Sequence, residues 1–454
     1  MKRRAMLTAA GLGVSLTGCL RLNDGGTDTA ASTERESATR TATDPATAST
    51  TATETEESTE TSRATLEDLA CPADRSLSGA ATDDWGQPQS DAASTGYVPE
   101  ESVGTSAACV AWRQEDVAPV STAVVLSDSH VFVGGEGREG LRALDRTTGE
   151  QAWTTDSSLS GVINVRNPLV VDGTVYFTAE IGAEGGRVFA FDAETGEERW
   201  RMEPAAGVGN MGPVRHEDGV LYGTSWIADT DAESVVWALD TAARTTRWKT
   251  RLDGRGLESC AVGNGRVYVA GDKRAAAGVQ ALDANTGEVL WRAVDAQVAG
   301  APTVTGNAVY ATTNDTRDAP SLFALDPETG GTRWTYETLN GTDCSVIATD
   351  DTVTYRTSDG LFCLGTDGAG RWRYTGRGAR SQRGSPVRVG ETIVVGSTGN
   401  DPGLVAVDAN TGDPQWSIPT PEIPMTPAVV DGDVYVMYRT SEDWKYHLMA
   451  LRTT

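Results

Sequence analysis

Val188-Phe189-Ala190-Phe191-Asp192-Ala193-Glu194-Thr195-Gly196-Glu197-Glu198-Arg199-Trp200 is the stretch whose reading decides the fold. A near copy runs from Val279 to Trp291 as Val-Gln-Ala-Leu-Asp-Ala-Asn-Thr-Gly-Glu-Val-Leu-Trp, and matching stretches end at Trp153, Trp334 and Trp416. The copy ending at Trp248 keeps Ala238 and Asp240 but loses the Thr-Gly pair. The copy ending at Trp372 is one residue shorter, with Cys363 and Gly365 in place of Ala and Asp. Together with Trp112 these give eight tryptophans spaced 38 to 48 residues apart. A fixed motif at such a period means one supersecondary unit copied around a closed or stacked array.

Each position of Ala-x-Asp-x-x-Thr-Gly-x-x-x-Trp has a physical reason. The small Ala lets two sheets approach closely. The Asp accepts the N–H groups of a turn. The Gly supplies the positive φ of a tight hairpin, and the Trp buries a large ring whose N–H needs a partner. Upstream of each motif lies a second strand pair, joined at Asp172-Gly173, Asp218-Gly219, Asn264-Gly265 and Asp431-Gly432 between β-branched runs. Pro168, Pro213, Pro302, Pro386 and Pro427 stand near the start of the first strand, where proline is tolerated. One repeat is therefore four short antiparallel strands, the size of a propeller blade.

Seven complete intervals separate Trp112 from Trp416, and three further strands follow Trp416 without a closing Trp. The missing fourth strand is Ala108-Cys109-Val110-Ala111-Trp112 at the other end. The expected fold is all-β: an eight-bladed β-propeller of four-stranded antiparallel blades, over residues 105–454, with the last blade closed by the N-terminal strand around Trp112. Such closure pairs edges that would otherwise template aggregation. All eight tryptophans are then expected to dock blades, which removes them as cofactor candidates.

The motifs resemble the pyrroloquinoline-quinone-type (PQQ-like) propeller repeat, a family that includes quinoprotein alcohol dehydrogenases and the assembly lipoprotein BamB. The segment Asp84-Trp85-Gly86 to Thr95-Gly96-Tyr97, within a lead-in of residues 67–104, looks like the Trp-…-Asp-…-Thr-Gly-Tyr lead-in of many secreted members. The resemblance implies the fold. For activity it leaves two classes open, because enzymes and non-enzymes share the repeat.

The N-terminal 19 residues read as a signal peptide. Lys2, Arg3 and Arg4 precede an apolar run too short to span a membrane. Leu16-Thr17-Gly18-Cys19 looks like a lipobox, with a two-chain lipid expected at Cys19. Arg3-Arg4-Ala5-Met6-Leu7 resembles a twin-arginine (Tat) export signal, with a Sec route as the alternative. Residues 20–66 are dominated by Thr, Ser, Ala and Glu and bury too little apolar surface to fold. They are expected to act as a tether, roughly 35–40 Å in span. This places the propeller extracytoplasmically, anchored to the cell membrane through Cys19.

The formal net charge is -26, which disfavours a nucleic-acid partner. Lysine is scarce beside arginine, and acid excess with few lysines resembles halophilic proteins. If Cys19 is lipidated, five cysteines remain: Cys71, Cys109, Cys260, Cys344 and Cys363. Cys71 with Cys109 is the expected bridge, on position alone. Cys260 and Cys363 read as small core residues.

A quinone dehydrogenase is implied by the resemblance and would need PQQ, a Ca²⁺ site of Glu, Asn and Asp oxygens, an Asp base, a Trp under the cofactor and often adjacent cysteines. The chain has no adjacent cysteines and no local motif for such a ligand set. His130, His216 and His447 stand in no metal-ligand spacing. No catalytic, cofactor or metal residue is therefore assigned. What remains is binding at the connections that enter each innermost strand: Asn164, Arg166, Asn210, Met211, Glu258, Gln297, Arg380, Gln382, Arg383, Glu422 and Met425. Trp226 and Trp444 are read as lying in connections between second and third strands, where an exposed ring could stack on a sugar or partner. The expected function is a non-catalytic scaffold or binding module for membrane or cell-surface proteins. The alternatives are a PQQ-dependent dehydrogenase and a carbohydrate- or peptide-binding module.

Overall fold

Alternating apolar residues and hairpin glycines make strands of nearly the whole described chain. A computed structural model describes residues 66, 68–72, 77 and 85–454, apart from 118–122, 136–139, 156–161, 164, 167, 182–184, 206–207, 228–232, 254–256, 258, 272–277, 315–318, 343, 377–383, 398–401, 421–422 and 441–444. The signal peptide, Cys19 and nearly all of the tether lie outside these residues.

Eight separate sheets follow one another along the chain as the blades of a propeller. The first consists of Val125–Leu126, His130–Gly134, Leu141–Asp145 and Gln151–Thr154. The next six start at Val162–Ile163, Val208–Met211, Cys260–Gly263, Val298–Val304, Ile347–Ala348 and Val387–Val389. The eighth combines Ala428–Val430, Asp433–Arg439 and Tyr446–Thr453 with the N-terminal strand Ala108–Gln114. That strand pairs from Ala108↔Thr453 to Gln114↔Leu448, bulged between Val110 and Trp112. Closure by both ends of the chain is thus as the repeat count requires.

Two hairpins per blade share one end. Asp172-Gly173, Asp218-Gly219, Asn264-Gly265 and Asp431-Gly432 have positive φ at both residues, which matches the right-handed twist of the paired strands. In the motif hairpins the Asp carboxylate gathers the turn. Asp326 Oδ1 accepts the N–H groups of Glu328 and Thr329 and the Thr329 hydroxyl, at 3.0, 2.9 and 3.0 Å. The Arg333 guanidinium beside it holds this carboxyl down at about 2, and Arg199 does the same for Asp192. Because consecutive strands reverse direction, the longer connections gather at the opposite end. The two ends are called here the hairpin end and the loop end.

The motif Trp and Gly meet across the seams. Seven indole N–H groups donate to a backbone carbonyl at 2.7–3.2 Å: Trp112 to Arg146, Trp153 to Ala193, Trp248 to Ala284, Trp291 to Pro327, Trp334 to Thr366, Trp372 to Ala409 and Trp416 to Gly104. The first six acceptors each directly follow the motif Asp, or its Gly365 substitute, of the next blade. The hairpin glycine of that blade lies against the same ring. A Cβ on Gly149, Gly196, Gly287, Gly330, Gly368 or Gly412 would stand 2.4–2.8 Å from a carbon of the preceding Trp. The glycine therefore has a second reason beyond its turn. Trp200 packs at 5.8 Å on Tyr176; the hairpin of the third blade has Arg244 at φ +57° where the others have glycine.

The closing seam carries extra fastenings. Arg146, 1% exposed, donates Nε to the Tyr435 hydroxyl and Nη2 to Asp431 Oδ2, both at 3.1 Å, bridging the first blade to the eighth. Cys71 is disulfide-bonded to Cys109, as expected. Val110 N–H donates to Leu69 and Cys71 N–H to Val110, so residues 69–71 cover the outer edge of the closing strand. Cys260, Cys344 and Cys363 are buried free thiols.

Two outcomes test the seams. Gly196→Ala combines positive φ with a ring contact and should cost about 2–4 kcal/mol by denaturant unfolding. Gly173→Ala has positive φ but open space around it and should cost about 1 kcal/mol. Equal losses contradict the second role of the glycine. Asp326 ionises near pH 2 when folded and near 3.9 when unfolded. Its charge therefore stabilises the fold fully above about pH 4, and the effect fades as pH falls toward 2. The melting-temperature gap between Asp326→Asn and the parent should be open at pH 6 and closed at pH 2.

Candidate functional site

The innermost strand of every blade is a sheet edge, and its inward N–H groups need partners. Residues 85–104 supply them. Leu126 N–H donates to Trp85 O at 2.9 Å, Val170 to Gly86 O at 2.7 Å, Val262 to Ala92 O at 2.8 Å, Val304 to Ala93 O at 2.9 Å, Ala348 to Thr95 O at 3.0 Å and Arg388 to Gly96 O at 2.7 Å. In the third blade the Gln87 carboxamide takes over, accepting from His216 N at 2.9 Å and donating to His216 O at 3.1 Å. These residues hold equivalent ladder positions in blades one to seven. At the eighth, Glu101 Oε2 accepts Asp431 N–H at 2.9 Å. The lead-in thus visits the blades in chain order and stoppers the hairpin end of the channel.

Small residues let it lie so close. A Cβ on Gly86 would stand 2.3 Å from the Val170 carbonyl oxygen. Arg215, on the innermost strand of the third blade, is the stopper's charged anchor. It donates to Pro88 O at 2.6 Å, Ser94 Oγ at 2.7 Å and Cys260 O at 3.2 Å. Burial pushes its pKa down and that of neighbouring Asp91 up, and raises the Cys260 thiol to about 11. Asp91 accepts the Thr95 N–H at 2.9 Å and its hydroxyl. Sequence reading missed Arg215, because a buried arginine and a surface one look alike.

The channel wall satisfies itself with hydroxyls. Ser345 N–H donates to Ser385 Oγ at 3.0 Å and Ser385 N–H to Thr426 Oγ1 at 2.9 Å. Thr178, Thr303 and Thr312 hydroxyls donate to Gly212, Val346 and Cys344 carbonyls of the following blade.

Of the polar residues expected to bind, Arg166, Gln297 and Asn210 are described. Arg166 is half-buried, with its N–H on Thr178 O, and its charge offsets part of the burial that raises the Glu180 carboxyl. Gln297 is half-buried beside the strand Val298–Val304, and Asn210 lies on the strand Val208–Met211. Asn164, Glu258, Arg380, Gln382, Arg383 and Glu422 lie outside the described residues. Two expectations are corrected. Met211 and Met425 are 2% and 3% exposed and pack in hydrophobic clusters, so they belong to the core. Trp226 lies within the strand Val220–Ile227, paired with Ser234, not in a connection, because the blade's second and third strands are long. Trp444 lies outside the described residues.

The family model described as outer membrane protein assembly factor BamB matches residues 103–211, 184–298 and 232–453. Quinohemoprotein alcohol dehydrogenase ADH-IIG of Pseudomonas putida is 30% identical over 188 residues, 38% of this chain and 25% of that protein. BamB of Yersinia pestis is 28% identical over 222 residues, 44% of this chain and 53% of that protein. The chain thus spans a quarter to about half of these relatives. Among solved structures, quinohemoprotein alcohol dehydrogenase from Comamonas testosteroni superposes with a TM-score of 0.58 at 15% identity, over 82% of this chain and 81% of that one. BamB from Moraxella catarrhalis gives 0.55 at 18% identity, over 77% and 98%. At such identity these likenesses concern the fold.

Among the described residues no group of three or more His, Cys, Asp or Glu could hold a metal ion. Of the free thiols, Cys344 and Cys363 belong to the sixth blade and Cys260 to the fourth, none adjacent in sequence, and seven of the repeat tryptophans donate their N–H across blade seams. No such cluster marks a catalytic site among the described residues, and no chemical step is routed through a quinone.

Gly86→Ala tests the stopper. The added methyl must push residues 85–87 off the second blade, at about 1–3 kcal/mol. Limited proteolysis should cut within residues 85–104 faster than in the parent. Unchanged cleavage and melting temperature would contradict the threading.

Proposed function

The chain belongs to the PQQ-repeat propeller family described by BamB, and from that premise we propose that it is a non-catalytic binding propeller. It works outside the cytoplasm, held to the membrane through a lipid on Cys19, and captures partner proteins at the loop end of its channel. The observation that carries this reading is the commitment of the innermost-strand arginines to the fold. Arg215 fastens the lead-in, and Arg388 donates to Gly390 O and Thr352 Oγ1 while lying 5.1 Å over the Tyr97 ring. With the hairpin end stoppered, the loop end is the face left for recognition, and its connections differ from blade to blade as a grafted site does.

A second reading, a PQQ-dependent quinoprotein dehydrogenase, is favoured by the relatives' names. Two quinohemoprotein alcohol dehydrogenases and a lupanine 17-hydroxylase [cytochrome c] stand among them.

Titrating purified protein with PQQ and Ca²⁺ separates the two. The binding reading expects no saturable absorbance change and no alcohol-dependent dye reduction. It also expects a pull-down from the protein's own membranes to retain partners that Arg166→Glu releases. Saturable PQQ binding with dye reduction overturns it in favour of the dehydrogenase. Cys19→Ser should move the protein from the membrane to the soluble fraction, and unchanged partitioning would contradict the anchor.

A further inference from the structure

Only two asparagines of the chain open an Asn-x-Ser/Thr triplet: Asn314-Asp315-Thr316 and Asn340-Gly341-Thr342. Neither has proline in the middle, so both carry the acceptor pattern for an N-linked sugar. The second lies wholly within the described residues. It stands at the loop end, in the connection from the outer strand of the fifth blade, Thr332–Tyr336, to the inner strand of the sixth, Ile347–Ala348.

The fold around this triplet is firm. Asn340 is exposed. Its backbone N–H and its Nδ2 donate to Asp359 Oδ2 and Oδ1 at 3.0 and 2.7 Å, and its carbonyl accepts the Thr338 hydroxyl at 2.7 Å. Thr342 N–H donates to Thr313 O at 2.9 Å. A Cβ on Gly341 would stand 2.2 Å from that oxygen and 2.6 Å from Asn314 Cα, so the middle glycine lets one connection lie on the other. Leu339, beside the acceptor, is 88% exposed, and a sugar on Asn340 would cover part of it.

Acceptor and recognition residue differ in access. A carboxamide nitrogen has two N–H bonds. Replacing one by a sugar leaves one, the number that Asp359 Oδ1 uses. Thr342, by contrast, is 0% exposed, and its hydroxyl accepts the Cys344 N–H at 3.1 Å. The folded chain therefore has room for the sugar but hides the hydroxyl that an attaching enzyme reads.

We propose that Asn340 carries an N-linked oligosaccharide, attached before the fifth and sixth blades close. The donor is a lipid-phosphate-linked oligosaccharide. Nδ2 bonds to its anomeric carbon, the bond from that carbon to the phosphate oxygen breaks, the lipid phosphate leaves, and the amide gives up one proton. This rests on the extracytoplasmic placement proposed above and deepens it. Of the two export routes open to the leader, Sec alone delivers an unfolded chain. The second and sixth blades of an eight-membered ring stand opposite each other, so the sugar lies nearly across the channel from Arg166 and leaves that side of the loop end for capture.

The test is mass spectrometry of the chain purified from its own membranes. Trypsin separates the triplets, with Asn314 in peptide 293–317 and Asn340 in peptide 334–356. Peptide 334–356 should be heavier than its sequence by whole sugar residues. Asn340→Gln and Thr342→Ala should lose the addition, and Thr342→Ser, which keeps the hydroxyl, should retain it. Should Thr342→Ala fail to accumulate, the exposed Asn340→Gln carries the comparison. Peptide 334–356 at its bare mass overturns the proposal. Labelling Lys249, which is exposed, on whole cells with a membrane-impermeant amine reagent shows which claim failed. Labelled protein with bare Asn340 sinks the sugar alone, and unlabelled protein sinks the extracytoplasmic reading with it. Given permeabilised membranes, peptide 334–356 should gain sugar and the folded, sugar-free chain none; gain on the folded chain overturns the order of events.

Discussion

Eight sheets close into a ring only if every seam is filled to the same thickness, and at six of the eight seams one contact sets that thickness. The indole of one blade lies on the hairpin glycine of the next and donates its N–H to a carbonyl beside that glycine. The ring fixes the distance between sheets, and the hydrogen bond fixes its rotation. The fully buried alanines at 143, 190, 281, 324 and 406 let the sheets approach behind it. Each joint therefore specifies the next. The last one has no hairpin to meet, and Trp416 reaches Gly104 of the lead-in instead.

Closing the ring creates a second problem, which is the row of unpaired inner edges around the channel. The lead-in answers it with main-chain carbonyls from Trp85 to Gly96, one blade at a time, helped by the Gln87 side chain at the third blade and the Glu101 side chain at the eighth. Arg215 buries its guanidinium to hold that path, an arrangement stable only while its acceptors stay in place. The two ends of the channel consequently differ. One is a rigid face of hairpins and stopper, and the other is a set of unlike loops.

Much of this was legible in the sequence. The tryptophan period announced the blade, Asp-Gly and Asn-Gly announced the inner hairpins, and the truncated final motif with Trp112 announced closure from both ends. The pairing of Cys71 with Cys109 followed from position. The threading of the lead-in was not legible, because backbone carbonyls leave no side-chain signature; only the small residues Gly86, Ala92, Ala93 and Gly96 hinted at it. Met211 and Met425 were read as mouth residues because strand ends and loop starts look alike in one dimension. Arg244 could not be foreseen as a stand-in for glycine, since nothing local distinguishes it from a surface arginine.

The central claim is that the lead-in pairs the inner edge of every blade it passes. Residue-resolved hydrogen exchange on the intact protein measures this directly. The amides of Leu126, Val170, Val262, Val304, Ala348 and Arg388 should exchange as slowly as those within the blade ladders, although they sit on edge strands. Exchange at these six as fast as at an open sheet edge would contradict the account.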